Sequence, residues 1–245
     1  MIFPQHASEG LQRNKELSSP EALWSVPNLC GFSGLCGLAI KIFLPAVVEI
    51  LSGFKRRILK RTGNRRAGAQ RNPFMRLTSL KLESVEDLFL AELRDLYDAE
   101  NQLLKALPKL AEAASAPALK LAFSQHLEET KGHVGRLDRV FRELDVKPSG
   151  ETCEAMKGLV KESEEFIQAK GEPLVRDAGL IGAAQRVEHY EMAGYGTART
   201  LAKRLGFQDI ATTLQKTLEE EGEADRKLTA VAENEVNVRA TASAP

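Results

Sequence analysis

The feature that most limits what this chain can fold into is a run from Leu174 to Leu205 that puts acids where a helix needs its apolar face. At helical spacing Leu174, Ala178, Ile181, Ala184, Glu188, Glu191, Tyr195, Ala198 and Leu205 share one stripe. A buried, unpaired carboxylate either destabilises the fold or takes up a proton. The stripe therefore implies a compensating cation, a metal, or a face less buried than its neighbours suggest.

Three further helical segments repeat the pattern. From Val85 to Leu107 the apolar members are Val85, Leu88, Phe89, Leu93, Leu96, Leu103 and Leu107, and Glu100 lies among them. From Leu119 to Leu144 they are Leu119, Ala122, Phe123, Leu137, Val140, Phe141 and Leu144, with His126, Glu129 and His133 in the middle. The last segment gives Ile210, Leu214, Leu218, Leu228 and Val231, interrupted by Glu221 and Asp225. Four helices thus each carry metal-capable groups near mid-length, facing inward.

Local signals mark the helix ends. Ser84 before Val85-Glu86-Asp87 reads as a capped start, and Pro108 should kink the first helix or end its regular part. Ser115-Ala116-Pro117 offers a serine cap and an early proline to the second helix, which Lys147-Pro148-Ser149-Gly150 stops. Thr152 to Ala169 is a shorter amphipathic segment ending before Gly171 and Pro173. Gly206-Phe207 separates the third long helix from the fourth, which should fade near Asn234. No strand-like alternation survives between residues 80 and 235. The expected architecture is all-α: two antiparallel hairpins forming a four-helix bundle over residues 80–235, joined by a short crossover helix, with a disordered tail at 236–245.

The first third is of another kind. Residues 1–75 hold 11 Lys and Arg against 4 Asp and Glu, a net of +7, and the remainder 23 against 30, a net of −7. The bundle is acidic, and nothing in it argues for nucleic acid. Residues 29–54 are apolar but interrupted by Lys41, Pro45 and Glu49, and a basic cluster follows. Three readings stand: a poorly ordered extension over residues 1–79, a weak membrane segment that leaves the bundle cytoplasmic, or an upstream mis-start with Met75 as the working start. Cys30, Cys36 and Cys153 are too few and too scattered for a disulfide framework, which favours a reducing, cytoplasmic compartment. Cys153 reads as a small packed side chain.

A bundle-held dinuclear metal site needs one Glu from each of two helices and a Glu and a His one turn apart on each of the others. Here the candidates are Glu100, the pair His126 and Glu129, the pair Glu188 and Glu191, and the pair Glu221 and Asp225. One His among six carboxylates is an oxygen-rich set that suits iron or manganese. Taken singly, Glu100 reads as a flank charge, His126 as a hydrogen-bonded core residue, and Glu221 as part of the solvated run Glu219-Glu220-Glu221. Four stripes broken in register would nevertheless be an odd way to build an inert core. His133 is a further ligand, a partner to one, or a cap on the polar end of its stripe. His189 should face away. Tyr195 shares the inner stripe, by packing or by a hydrogen bond to a ligand.

Glu92-Leu-Arg-Asp-Leu-Tyr-Asp-Ala-Glu100, His126-Leu-Glu-Glu-Thr130, Val187 to Thr197 and Leu218 to Leu228 resemble the YciE/YciF family of bacterial ferritin-like stress proteins. The likeness covers roughly residues 80–233. It implies a ferritin-like bundle, usually a homodimer, with a rubrerythrin-type centre of two iron ions. Its glutamates map onto Glu100, Glu129, Glu188, Glu191 and Glu221. The chain departs from the pattern where His126 precedes Glu129, where Gly132 stands three residues after Glu129, and where Asp225 follows Glu221 by four. The functional expectation is a dinuclear non-haem iron or manganese stress protein that binds or oxidises iron or reacts with peroxide or dioxygen, as a ferroxidase or peroxidase-like oxidoreductase. The alternative is a helical interaction protein with an inward polar network and no catalytic metal.

Overall fold

The computed structural model describes residues 82–148 and 152–242, together with Gly53. Apart from that glycine, the expectations for residues 1–79 fall outside the described part. Six α-helices follow in order: α1 Val85–Ala113, α2 Pro117–Glu143, α3 Glu154–Gln168, α4 Pro173–Arg204, α5 Gln208–Val231 and α6 Asn237–Ala242. The fold is the expected ferritin-like one. Hairpin α1/α2 packs on hairpin α4/α5, and α3 crosses between them against α1 and α4. No described helix is long and apolar enough to cross a membrane.

Ser84 caps α1 as its sequence predicts, its hydroxyl accepting from the Asp87 N–H and donating to the Asp87 carboxylate. Pro108 does not end the helix, which continues to Ala113. At α2 the expected serine cap is replaced. Ser115 makes no capping bond; instead the fully buried Asp177 of α4 accepts the backbone N–H of Ser115 at 3.0 Å and of Ala116 at 2.6 Å. A carboxylate there meets orphan N–H groups and the positive end of the helix together, so one side chain ties the first hairpin's turn to the second.

The second helix stops earlier than expected, at Glu143, because Asp145 turns left-handed (φ 54°) and the Val146 N–H returns to Phe141 O. Gly206 (φ 84°) makes the matching stop for α4, with the Phe207 N–H on Ala202 O at 2.9 Å. The crossover helix lies tight on α4 because Gly179 has no side chain: a Cβ there would meet the Phe166 ring at 2.4 Å. The tail departs from expectation. Beyond Val231 the chain passes through a π-helical turn, Ala232–Val236, and stays helical to Ala242, since Val236 is fully buried and holds it against the bundle.

Two apolar cores flank a polar layer. One gathers Leu103, Leu107, Phe123, Ile181, Val187 and Leu228, the other Phe89, Leu96, Leu137, Tyr195 and Leu214. On all four long helices the switch from one core to the other falls at the acids or histidines: at Glu100, between His126 and His133, at Glu188 and Glu191, and at Glu221. The apolar stripes fix helix rotation, and that rotation turns these polar groups into the layer between.

Candidate metal centre

Each of Glu100, His126, His133, Glu188, Glu191 and Glu221 is at most 5% exposed. Facing atoms of His126, Glu188, Glu191 and Glu221 lie within 4.8 Å of one another, and so do those of Glu100, His133 and Glu221. Glu221 belongs to both groups. Its Oε1 lies 2.9 Å from His133 Nδ1 and its Oε2 3.8 Å from His126 Nε2, so the two oxygens of one carboxylate face two sites.

Most of these atoms lack a hydrogen-bond partner. Glu100 Oε2, His126 Nε2, His133 Nδ1, Glu188 Oε2, both oxygens of Glu191 and both of Glu221 are buried and unsatisfied. His133 Nδ1 is close enough to Glu100 (3.2 Å) and Glu221 for ion pairing, but not aligned for a bond. Native interiors leave few such atoms. A cluster of them, all of metal-ligating type, is the arrangement a cation satisfies.

Burial sets the electrostatics. It pushes Glu188 up to about 8, with His126 opposing and Glu221 reinforcing, and drives Glu191 well above the ordinary carboxylate range. Burial acts to lower the His126 imidazole, but Glu188, Glu129 and Glu221 together lift it to about 9. His133 is lifted to about 10 against the same burial, by Glu100 and Glu221. Without cations the layer holds protons; metal ions would replace them.

Both histidines are held from behind in the same way. His126 turns Nδ1 to Glu129 Oε2 (3.4 Å), and Glu129 pairs with Lys227 at 3.0 Å. His133 turns Nε2 to Glu220 Oε2 (3.0 Å), and Arg136 grips Glu220 with Nη1 and Nη2 while Nη1 also donates to Thr217 Oγ1. An imidazole backed by a carboxylate presents its other nitrogen, deprotonated, to a metal. Tyr195, fully buried, donates its hydroxyl to Glu100 Oε1 at 2.5 Å, which fixes that carboxylate's orientation.

Of the seven residues expected to bind metal, the fold brings together Glu100, His126, Glu188, Glu191 and Glu221. Glu129 stands behind His126 at the rim, its side chain 30% exposed. Asp225 lies on the outer flank, bonded to Gln185 at 3.0 Å and 3.4 Å from His189, itself 68% exposed as expected. Helical rotation explains both: on α4 the inward direction falls between Glu188 and Glu191, so both reach the cluster, whereas on α2 and α5 it passes through His126 and Glu221, and a step of three or four residues turns Glu129 and Asp225 off it while a step of seven nearly restores it. His126 and His133 are seven apart. That spacing puts His133 inside the cluster rather than capping its end, and was the signal available in the sequence. Thr130, between the two histidines, was not a candidate by spacing, yet it is fully buried and its hydroxyl has no partner. Cys153 is packed, as expected, but also caps α3 and meets the Tyr190 hydroxyl, which donates to Asp95.

The family model described as Domain of unknown function (DUF892) matches residues 84–241. Protein YciF of Escherichia coli (strain K12) is 48% identical over 162 residues, 66% of this chain and 98% of YciF. Among solved structures, that of the E. coli stress protein YciF aligns at 49% identity with a TM-score of 0.62, covering 64% of this chain and 99% of YciF. YcfI from Rhodopseudomonas palustris aligns at 44% identity with a TM-score of 0.60, covering 64% and 98%. The matched span contains all four long helices and every residue of the polar layer, and by it this chain belongs to the DUF892 family, with the stress protein YciF among its relatives.

Proposed function

We propose that the polar layer holds two divalent ions, iron or manganese, and that the protein is a dinuclear metal protein of the stress response that binds or oxidises iron or reduces a small oxidant. One ion would be held by Glu100, His133 and Glu221, the other by His126, Glu188, Glu191 and Glu221. The two-faced carboxylate of Glu221 carries this reading. Charge supports it, because four carboxylates in a dry layer are neutralised by two dications. Bound iron would supply one electron per ion, enough with two protons to take dioxygen to hydrogen peroxide or hydrogen peroxide to two waters.

The chain's own residues orient and insulate. Tyr195 fixes Glu100, the Glu129–Lys227 and Glu220–Arg136 pairs fix the imidazoles, and the apolar cores on either side exclude water. The YciF likeness extends the proposal to a homodimer working in the cytoplasm. The alternative, a purely structural polar network, requires these groups to satisfy one another, and the unsatisfied atoms argue against it. Metal analysis of protein prepared without chelator tests the reading. About two iron or manganese per chain, lost in a Glu188→Ala/Glu191→Ala variant that stays helical, is expected; a metal-free protein whose melting is unchanged by added iron would contradict it.

A further inference from the structure

Among the described residues, two openings to His126 and Glu188 differ in character. The first is a small cavity, with room for about one water-sized molecule, between α1, the crossover helix α3 and α4. Leu103, Leu107, Leu110, Val160, Ala184 and Val187 form most of its wall, and Ser163 completes it. That serine contributes no free polar group, because its hydroxyl is bonded back to Leu159 O at 3.0 Å. The polar groups in this wall are therefore His126 and Glu188, where Nε2 and Oε2 lack partners. The second opening, equally small, also reaches His126 and Glu188, but passes the Glu129–Lys227 ion pair between α2 and α5.

We propose that the apolar cavity under α3 is a binding place for an uncharged diatomic gas, dioxygen, next to His126 and Glu188, while hydrogen peroxide and metal ions enter past Glu129 and Lys227. The physical ground is partition. Water in the first cavity finds partners only in His126 and Glu188, whereas dioxygen needs none and gains contact with the aliphatic walls. Hydrogen peroxide, with two donors to satisfy, would leave them unpaired along that wall. The second route offers a carboxylate and an ammonium along the way. The gas site stands on the cavity itself, and its use as an oxidant route rests on the metal reading above.

The test has a metal-free arm and a loaded arm. In metal-free protein under raised dioxygen pressure, the paramagnetic gas should speed relaxation of the Leu107 and Val187 methyl groups beyond that of equally buried methyls in the other core, such as Leu137. Ser163→Leu, which fills the cavity from the crossover helix, should abolish the excess. In protein loaded anaerobically with ferrous iron, Ser163→Leu should slow oxidation by dioxygen about tenfold or more and leave oxidation by hydrogen peroxide within twofold. Val160→Phe serves as a second block should the serine variant fold poorly. No excess relaxation at Leu107 and Val187, or equal slowing of both oxidants, or of neither, overturns the proposal. Failure to take up iron while the relaxation excess persists would sink the metal reading and leave the gas site standing.

Discussion

Glu221 Oε1 lies 2.9 Å from His133 Nδ1, and neither atom has a hydrogen-bond partner. The same carboxylate turns its other oxygen toward His126. The pair sets the two-site geometry, and it separates residues that hold metal from those that merely stand near. His133→Ala should therefore reduce the metal content from two ions per chain to one. Asp225→Ala, which cuts only the outer contacts to Gln185 and His189, should retain both. Elemental analysis of the two purified variants checks this.

Glu191 offers a prediction of opposite sign for the two forms of the protein. Both its oxygens are buried without partners, so Glu191→Met should stabilise the metal-free protein by about 1–3 kcal/mol. The same change should remove most of the stabilisation that added metal gives. Urea unfolding with and without manganese measures both effects.

Behind the histidines, Arg136→Met and Lys227→Met each remove a cation that holds a supporting carboxylate. Each should weaken metal binding by about 10- to 100-fold without abolishing it. A competition titration against a chelator of known affinity reads that loss.

The metal-free protein should lose stability as pH rises. Burial lifts Glu188 from an ordinary 4.5 to about 8, so the stability its proton carries is complete below 4.5 and lost as pH climbs through 8. His126, at about 9 against an ordinary 6.5 despite the opposing effect of burial, contributes stability that is complete below 6.5 and gone above 9. Thermal unfolding of the metal-free form should therefore come about 5 °C or more lower at pH 9 than at pH 6. Metal reverses the trend, since its ligands bind deprotonated, and the gain in melting temperature on adding manganese should be larger at pH 8 than at pH 6.

The Asp177 cap is a stability claim independent of metal. Asp177→Ala leaves the Ser115 and Ala116 N–H groups without their carboxylate and should cost about 2–4 kcal/mol. Ser115→Ala should stay within about 0.5 kcal/mol, because the Ser115 hydroxyl caps nothing. Denaturant midpoints of the two variants decide between the two caps.

The bundle was legible because its stripes are long and regular, and Glu188 and Glu191 announced the polar layer by sitting together in the middle of the longest of them. Less was legible where the deciding partner lies far away in sequence. No local rule assigns Asp177 to a turn some sixty residues earlier, and the serine beside that turn was the better local candidate. Val236 holds the last helix by a contact the tail's composition does not show. At the site the error came from treating one-turn pairs as equivalent: Glu188 and Glu191 both reach the layer, but Glu129 and Asp225 turn off the inward line that His126 and Glu221 occupy, while the two-turn step from His126 to His133 stays on it.

The most direct measurement is a crystal of iron-soaked protein with anomalous data collected on both sides of the iron edge. Two iron peaks are predicted, one touching Glu100, His133 and Glu221 and the other His126, Glu188, Glu191 and Glu221, with Glu221 shared between them. A layer without anomalous signal, its carboxylates bonded to one another or to water, would contradict the account.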